Sequence, residues 1–260
     1  MIRTTFKKES KELFRDGRIR ITFITVIILT IIAVIISAYQ YKKENEEHSV
    51  AKSSERNVWD NQGEKNPHSA AHYGTYAFKP HFPLAFIDQG VDKYTGKSIF
   101  LEAHTRNEAQ FDDASDQTGL ARFGDLTPDF ILLFIIPLLI VLIGYNSLTK
   151  EREMGTITLI NSYGGLNFKL IFGKWLAIFL PLLVLLTVLF LVSGIILSSL
   201  SDFGVFSWAS LVALFSIYVI YYAIFINLVL IISSLGKKSG ISLVLSLSIW
   251  ILVCLILPKT

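Results

Sequence analysis

The chain has 260 residues, of which 52% are hydrophobic, and it carries a formal net charge of +3. That hydrophobic share is near the usual range for soluble proteins, but its distribution excludes an ordinary soluble domain. Five stretches of about 20 residues or more lack Asp, Glu, Lys and Arg, and each could cross a hydrocarbon core of about 30 Å as a helix. These stretches are residues 21–41, 130–149, 175–201, 203–236 and 239–258.

The N-terminal segment combines positive charge with one apolar helical face. Seven Lys and Arg residues occur among the first 20 positions. The apolar residues at helical spacing are Ile2, Phe6, Leu13 and Phe14. The pattern predicts an interfacial elbow helix at residues 1–18, with a solvated basic tail as the alternative. Because this basic patch borders a membrane span, its expected partner is anionic membrane lipid, and nucleic acid is not an expected partner.

The first apolar stretch predicts transmembrane helix 1 at residues 19–41. It is too long for a cleaved signal peptide, and no small-residue cleavage site follows it. Lys and Arg mark the cytoplasmic ends of spans, whereas residues 42–129 hold fifteen Asp and Glu against ten Lys and Arg. The N-terminus is therefore predicted to be cytoplasmic, and residues 42–129 are predicted to form an extracytoplasmic domain.

This domain is predicted to be small and of mixed α/β type. Its first part, residues 42–65, is polar and is expected to continue helix 1 outward. Aromatic residues begin after Pro67, and strands are predicted near residues 85–88 and 98–103.

All five histidines lie in this domain. His68 and His72 have the i, i+4 spacing of metal ligands on a helix. Only about two helical turns fit between Pro67 and Gly74, and no Glu lies between the two histidines. No metal site is therefore predicted, and the preferred interpretation is that His68 and His72 form structural hydrogen bonds; a metal-handling module is the alternative.

The motifs of ATP hydrolysis and nucleophilic catalysis are missing from the sequence. Gly96-Lys97-Ser98 resembles the end of a phosphate-binding loop, but Val91 occupies the position where that loop needs its first glycine. No Gly-x-Ser-x-Gly sequence occurs. No catalytic residue is predicted, and the chain is predicted not to be an enzyme.

The rest of the chain is predicted to be four spans with short connections. A short connection is expected around residues 203–207. Cys254 lies in the last span as the single cysteine, which rules out an intramolecular disulfide. The predicted segments are transmembrane helix 2 at 130–149, a cytoplasmic coupling loop at 150–174, and transmembrane helices 3, 4 and 5 at 175–200, 207–235 and 240–258.

The cytoplasmic loop begins with a dense cluster of charges. Its sequence is Lys150-Glu151-Arg152-Glu153-Met154-Gly155-Thr156. If residues 151–161 form a short helix at the span exit, charged and apolar side chains would lie together at the base of the bundle and could receive force from a soluble motor. A solvated loop whose charges only set the topology is the alternative.

The stretch Glu151-Arg152-Glu153-Met154-Gly155-Thr156-Ile157, followed by Gly173-Lys174-Trp175, resembles the pattern of ABC-2-type transporter permeases. The external loop, with its sequence from Asn66 to Gly74, resembles an uncharacterised subgroup related to copper-maturation and gliding-type permeases. The resemblance covers essentially the whole chain. It implies a mainly α membrane protein with about five transmembrane helices in a bacterial inner (plasma) membrane.

The resemblance also implies partners. A separate ABC ATPase would dock on residues 151–161 and on the elbow helix, and a second permease subunit would complete a homo- or heterodimer. The implied ATPase-coupling residues are Glu151, Arg152, Glu153, Gly155 and Thr156. No cofactor is expected on this chain, since ATP would be bound by the partner subunit.

One departure from the family pattern affects the functional prediction. Such permeases usually have six spans, whereas five are predicted here, so we expect a truncated chain. The alternative function is that of a non-transporting, membrane-anchored protein whose extracytoplasmic domain binds a ligand or partner.

Overall fold

A computed structural model describes residues 1–80, 82–92, 95–106, 109–110, 126–162, 168–200 and 205–257. The described chain is mostly helical, with a small β-sheet. Within it, five helices are long and apolar enough to cross a membrane, in agreement with the sequence prediction. They are Ile19–Asp60, Pro128–Glu153, Phe168–Ser199, Ser207–Leu235 and Ser239–Ile256.

The chain divides into two compact units. The first unit consists of Met1–Ile31, Phe130–Gly194 and Trp208–Thr260, and the second consists of Ile32–Asp129 and Ile195–Ser207. The membrane, external and cytoplasmic boundaries given above stay predictions, since these units are defined by packing alone.

Two helices open the chain. Helix α1 spans Ile2–Arg15, and α2 spans Gly17–Asp60, a length of 44 residues or about 66 Å at 1.5 Å per residue. The prediction that residues 42–65 continue the first helix is confirmed as far as Asp60, whereas the outward direction stays a prediction. Ion pairs at i, i+4 spacing support its polar half, for example Lys43–Glu47 at 3.7 Å and Arg56–Asp60 at 2.9 Å.

The second unit contains α3 (Pro67–Tyr73) and a three-stranded antiparallel sheet. The sheet order is β1 (Thr75–Phe78), β2 (Ser98–Leu101) and β3 (Ala109–Gln110). In the register of β1 with β2, Thr75 faces Leu101 and Phe78 faces Ser98. Strand β2 lies within the predicted strand region 98–103.

The strand predicted at residues 85–88 is wrong, because Pro83–Phe86 forms a 3₁₀ helix. Pro83 has its φ fixed in the first turn, and the N–H of Ile87 donates to the carbonyl of Leu84 at 2.9 Å. Such local hydrogen bonds leave no ladder for a strand. Phe86 and Ile87 are 1% exposed, so their apolar character serves the core of this unit.

The second span is the most buried of the five. In its most apolar window 56% of the residues are buried, against 17–39% in the other four. It runs through α4 (Pro128–Phe130), a π-helical turn (Ile131–Ile135), α5 (Ile136–Gly144) and α6 (Thr149–Glu153). Its end is therefore well placed to contact several neighbouring helices.

Side chains from another span satisfy the irregular backbone around Pro137. This proline has no N–H, so it donates neither to the α-helical acceptor four residues earlier, Leu133, nor to the π-helical acceptor five residues earlier, Leu132. The hydroxyl of Tyr221 donates to the carbonyl of Leu133 at 3.0 Å, and that of Tyr222 donates to the carbonyl of Leu132 at 3.1 Å. The fourth candidate span thus supplies hydrogen bonds that a bilayer cannot supply.

Four further helices of the described chain follow the second span. Helix α7 spans Thr156–Ser162, α8 spans Phe168–Leu200, and α9 spans Val205–Leu235. Ile195–Ser207, at the end of α8 and the start of α9, belongs to the second unit. Helix α10 (Ser239–Trp250) continues into a π-helical turn over Ile251–Ile256, in which Cys254 is buried. Of the connection predicted at 203–207, residues 203–204 lie outside the described residues and the rest belongs to α9.

Candidate functional site

The charge cluster forms two short helices joined by a sharp turn. Helix α6 ends at Glu153, Met154 and Gly155 form the turn, and α7 begins at Thr156. Gly155 has a φ of +72°, a region that L-residues rarely adopt. The Thr156 hydroxyl donates to the carbonyl of Glu151 at 3.0 Å and so bridges the turn. We call residues 149–162 the coupling segment.

Glu151 points into the protein. It is 8% exposed, and its carboxylate lies 2.9 Å from the ammonium of Lys174 near the start of α8. Lys174 is 2% exposed; its ammonium also lies 2.7 Å from Glu9 on α1 and donates to the carbonyl of Ser147 at 2.8 Å. One buried cation therefore joins α1, the end of the second span and α8.

Helix α1 packs against this pair through further charges. Lys8 lies 3.5 Å from Glu151, and Lys150 lies 3.6 Å from Glu12. Burial lowers the pKa of Lys8, but the nearby carboxylates of Glu9, Glu12 and Glu151 outweigh it, so that the net effect raises this pKa. The ammonium charge of Lys8 is thereby favoured.

Gly173 allows α1 to approach α8 closely. A Cβ atom at this position would lie 2.8 Å from the Cβ of Thr5 and 3.1 Å from the carbonyl oxygen of Ile2. Those distances are too short for a normal contact. Gly173 thus provides the space in which α1 crosses α8. The next residue, Lys174, provides the cation that binds Glu9 on α1.

Arg152 binds the C-terminal end of α9. Its guanidinium donates to the carbonyl of Ser234 at 2.8 Å and to the carbonyl of Gly236. The last carbonyls of a helix have no intrahelical partner, and a cation at that end also interacts favourably with the helix dipole. Arg152 therefore caps the fourth candidate span.

Glu153 binds the N-terminal end of α10. Its carboxylate accepts hydrogen bonds from the backbone N–H and the hydroxyl of Ser239, both at 2.7 Å. A negative charge is favourable at the start of a helix, where the first N–H groups lack partners. Glu153 therefore caps the fifth candidate span.

The three consecutive charged residues thus bind four different helices, three of which are candidate spans. Glu151 reaches α8 and α1, Arg152 reaches α9, and Glu153 reaches α10. The sequence pointed to these three residues but not to Lys174, to Glu9 as the second carboxylate bound by Lys174, or to Ser239 as site residues. For Lys174 a signal existed, since Gly173-Lys174 was part of the family pattern; for Glu9 and Ser239 we find no sequence signal.

The outer side of the coupling segment is partly apolar. Met154 and Leu159 are both 61% exposed, whereas Ile157 and Ile160 are half-buried. The apolar side chains predicted within residues 151–161 are therefore exposed mainly at Leu159 and, in the turn, at Met154.

The second unit offers a different kind of site. His68 and His72 both lie on α3 with their ring centroids 4.7 Å apart. A separate cavity of about 500 Å³ lies between α2 and the sheet. Its polar lining includes Glu44, Glu47 and Lys79.

The apolar helices and the interlocked span ends define the class: a multi-pass, mainly helical membrane protein. A sequence model of the family described as ABC-2 family transporter protein matches residues 3–259. The chain belongs to this family, which confirms the resemblance to ABC-2-type transporter permeases, and it is accordingly a membrane permease of an ABC transporter. A search of curated proteins found no match.

Proposed function

We propose that the chain receives ATP-driven work from a separate ABC ATPase through the coupling segment. The observation that carries this proposal is the set of bonds made by Glu151, Arg152 and Glu153 to the ends of three candidate spans. Because each bond joins the segment to another helix, a displacement of the segment is transmitted to all three. A solvated loop that only set the topology would not need these bonds.

Within this proposal the coupling residues divide into two roles. The exposed side, with Met154 and Leu159, contacts the ATPase. Glu151 is buried and faces α8, so it transmits motion instead of touching the partner. Gly155 and Thr156 set the angle between α6 and α7.

The remaining parts of the proposal rest on the family and on charge. A second permease subunit, identical or different, completes the pathway, and ATP is bound by the ATPase alone. The Lys and Arg residues near the first span favour a cytoplasmic N-terminus in a bacterial plasma membrane. Helix α1 then lies at the membrane surface, where anionic lipid attracts its basic residues.

Site-specific photo-crosslinking tests the contact. A photoreactive amino acid is placed at Leu159 of the full chain in native membranes, and adducts are identified by mass spectrometry. We expect peptides of an ABC ATPase. The matched control carries the same group at Val184, which is 62% exposed on α8 and is expected to face lipid. If the chain is folded and inserted in the membrane and the adducts at Leu159 contain no ABC ATPase, the proposal is wrong.

A second variant separates contact from transmission. Arg152→Ala leaves Leu159 exposed but removes the bonds to the end of α9. We expect the Leu159 adduct to persist while the ATPase no longer responds to the permease. Loss of the adduct in this variant would show that Arg152 holds the contact surface itself.

The cavity in the second unit supports a second candidate function, the binding of a ligand by this unit. Its volume of about 500 Å³ is in the range of small-molecule sites. Two results together would favour this second function. The photoreactive group at Leu159 would crosslink to no ATPase, and Lys79→Ala, which alters the cavity lining, would abolish the cellular role of the protein.

A further inference from the structure

We propose that His68, His72 and His104 form a binding site for a divalent late transition metal ion. Their candidate ligand nitrogens all lie within 4.8 Å of one another. The sequence pointed only to the first two, and two imidazoles on a short helix were insufficient to predict a site. The third histidine, brought in from beyond β2, changes that conclusion.

Local structure on α3 fixes the first two ligands. The side chain of Asn66 accepts a hydrogen bond from the N–H of Ser69 at 2.7 Å and so caps the helix. The spacing of His68 and His72 then puts both rings on one face. The helix ends at Gly74, whose φ is +71° and where a Cβ atom would lie 2.3 Å from the ring of Phe100.

The chain after β2 brings the third ligand to this face. The N–H of Ala103 donates to the carbonyl of Ala71 on α3 at 3.0 Å. The next residue, His104, has a φ of +64°. Its ring centroid lies 5.2 Å from that of His72 and 6.0 Å from that of His68. A backbone hydrogen bond and an uncommon φ therefore direct this ring toward α3.

The geometry fits a metal after small side-chain movements. With metal–nitrogen bonds of about 2.0–2.1 Å, tetrahedral ligands lie about 3.3 Å apart. All three side chains are exposed, so rotation about their χ angles closes the remaining gap without disturbing a packed core.

The donor set defines the class of ion. Three neutral imidazoles suit Zn²⁺, Cu²⁺, Ni²⁺ or Co²⁺, whereas Ca²⁺ and Mg²⁺ prefer oxygen ligands. Three protein ligands leave a coordination position for water or for a group on another molecule. This site does not depend on the proposed coupling to an ATPase, and either proposal can fail alone.

Cobalt binding tests the site directly. The full chain is purified with a tag that contains no histidine, reconstituted, and titrated with CoCl₂ while visible absorption is recorded. We expect one ion per chain, the intense absorption of tetrahedral Co²⁺, and displacement by ZnCl₂. A stoichiometry of half an ion per chain would mean that the ion bridges two chains, which would contradict the proposal.

Three variants assign the ligands. His68→Gln and His72→Gln each remove one imidazole, and His104→Asn does so with a residue that tolerates positive φ. We expect each to weaken binding by about tenfold or more. The control is His48→Gln, since the ring of His48 lies apart from the cluster and packs against Phe78 at 6.1 Å between centroids.

Thermal unfolding supplies an independent readout. An ion that binds only the folded state raises the melting temperature, so ZnCl₂ is expected to stabilise the parent chain and His48→Gln but not the three ligand variants. Equal Co²⁺ affinity and equal Zn²⁺ stabilisation in the parent and in His104→Asn would overturn the proposal and leave ring contacts as the reason for the cluster.

Discussion

Lys174 and Glu151 form an ion pair of 2.9 Å in which both residues are almost fully buried, at 2% and 8% exposure. They are 23 residues apart in sequence and lie on different helices of the first unit. Such a pair adds little net stability when both members are present, but the loss of one member leaves a buried charge without compensation. Here that charge would be doubled, because Glu9 also binds Lys174.

Lys174→Met is therefore expected to lower the free energy of unfolding by about 3 kcal/mol. The substitution keeps an apolar stem but leaves the carboxylates of Glu9 and Glu151 with the more exposed Lys8 as their shared cation. Reversible unfolding in mixed micelles measures the change. Lys169→Met, an exposed lysine on the same helix, is the control and is expected to change little. Equal losses of unfolding free energy in the two variants would show that the buried ion pair contributes no more to stability than an exposed lysine.

Arg152→Lys is expected to loosen the end of α9 despite the retained charge. A lysine cannot hold the carbonyls of both Ser234 and Gly236 with the planar fork of a guanidinium. We expect a loss of about 1–2 kcal/mol and faster hydrogen exchange in the last turn of α9. Arg56→Lys, in an exposed i, i+4 pair with Asp60, should change neither quantity. Unchanged exchange in Arg152→Lys would contradict the capping role.

Gly173→Ala is expected to release α1 from α8. The new Cβ would meet Thr5 at 2.8 Å, and both helices are held by the ion pairs beside it. Trypsin should then cleave faster within α1, at Lys7, Lys8 or Lys11. Gly240→Ala is the control, because the Cβ it would add meets no atom within 4 Å apart from its chain neighbours and the backbone of its own helix. Equal cleavage rates would mean that the contact adapts easily.

The long helices of the fold could be predicted from the sequence because the apolar core of a bilayer requires long uncharged segments. Stretches of about 20 residues without charge predict spans whatever surrounds them. The helical continuation of α2 was also readable, since residues 42–60 carry Lys–Glu pairs at helical spacing. The strand predicted at residues 85–88 failed because its apolar residues, Phe86 and Ile87, serve a core and not a sheet. Composition alone cannot separate those two uses.

The candidate sites depended on contacts that no local pattern encodes. Arg152 and its acceptor Gly236 are 84 residues apart, and only the packed helices bring them together. The charge run could therefore be placed at a span end, but its inward direction could not be predicted. His104 shows the same limit, because its position depends on a positive φ and a hydrogen bond of the preceding residue to α3.

Pro137 and Tyr221 provide a test of how the second span tolerates its irregular backbone. Tyr221→Phe removes the donor to the carbonyl of Leu133 and is expected to cost about 1 kcal/mol in the free energy of unfolding. Pro137→Ala restores an N–H that can bond to the same carbonyl within the helix. In the double variant the cost of losing the hydroxyl should therefore shrink, giving a non-additive cycle.

Tyr39→Phe is the matched control for this cycle, since Tyr39 is 73% exposed. It is expected to change stability little in either background. The measurement is again reversible unfolding in mixed micelles, applied to all members of the cycle. Strict additivity of Pro137→Ala and Tyr221→Phe would show that the two residues act independently. The hydroxyl of Tyr221 would then not be the group that replaces the hydrogen bond lost at Pro137.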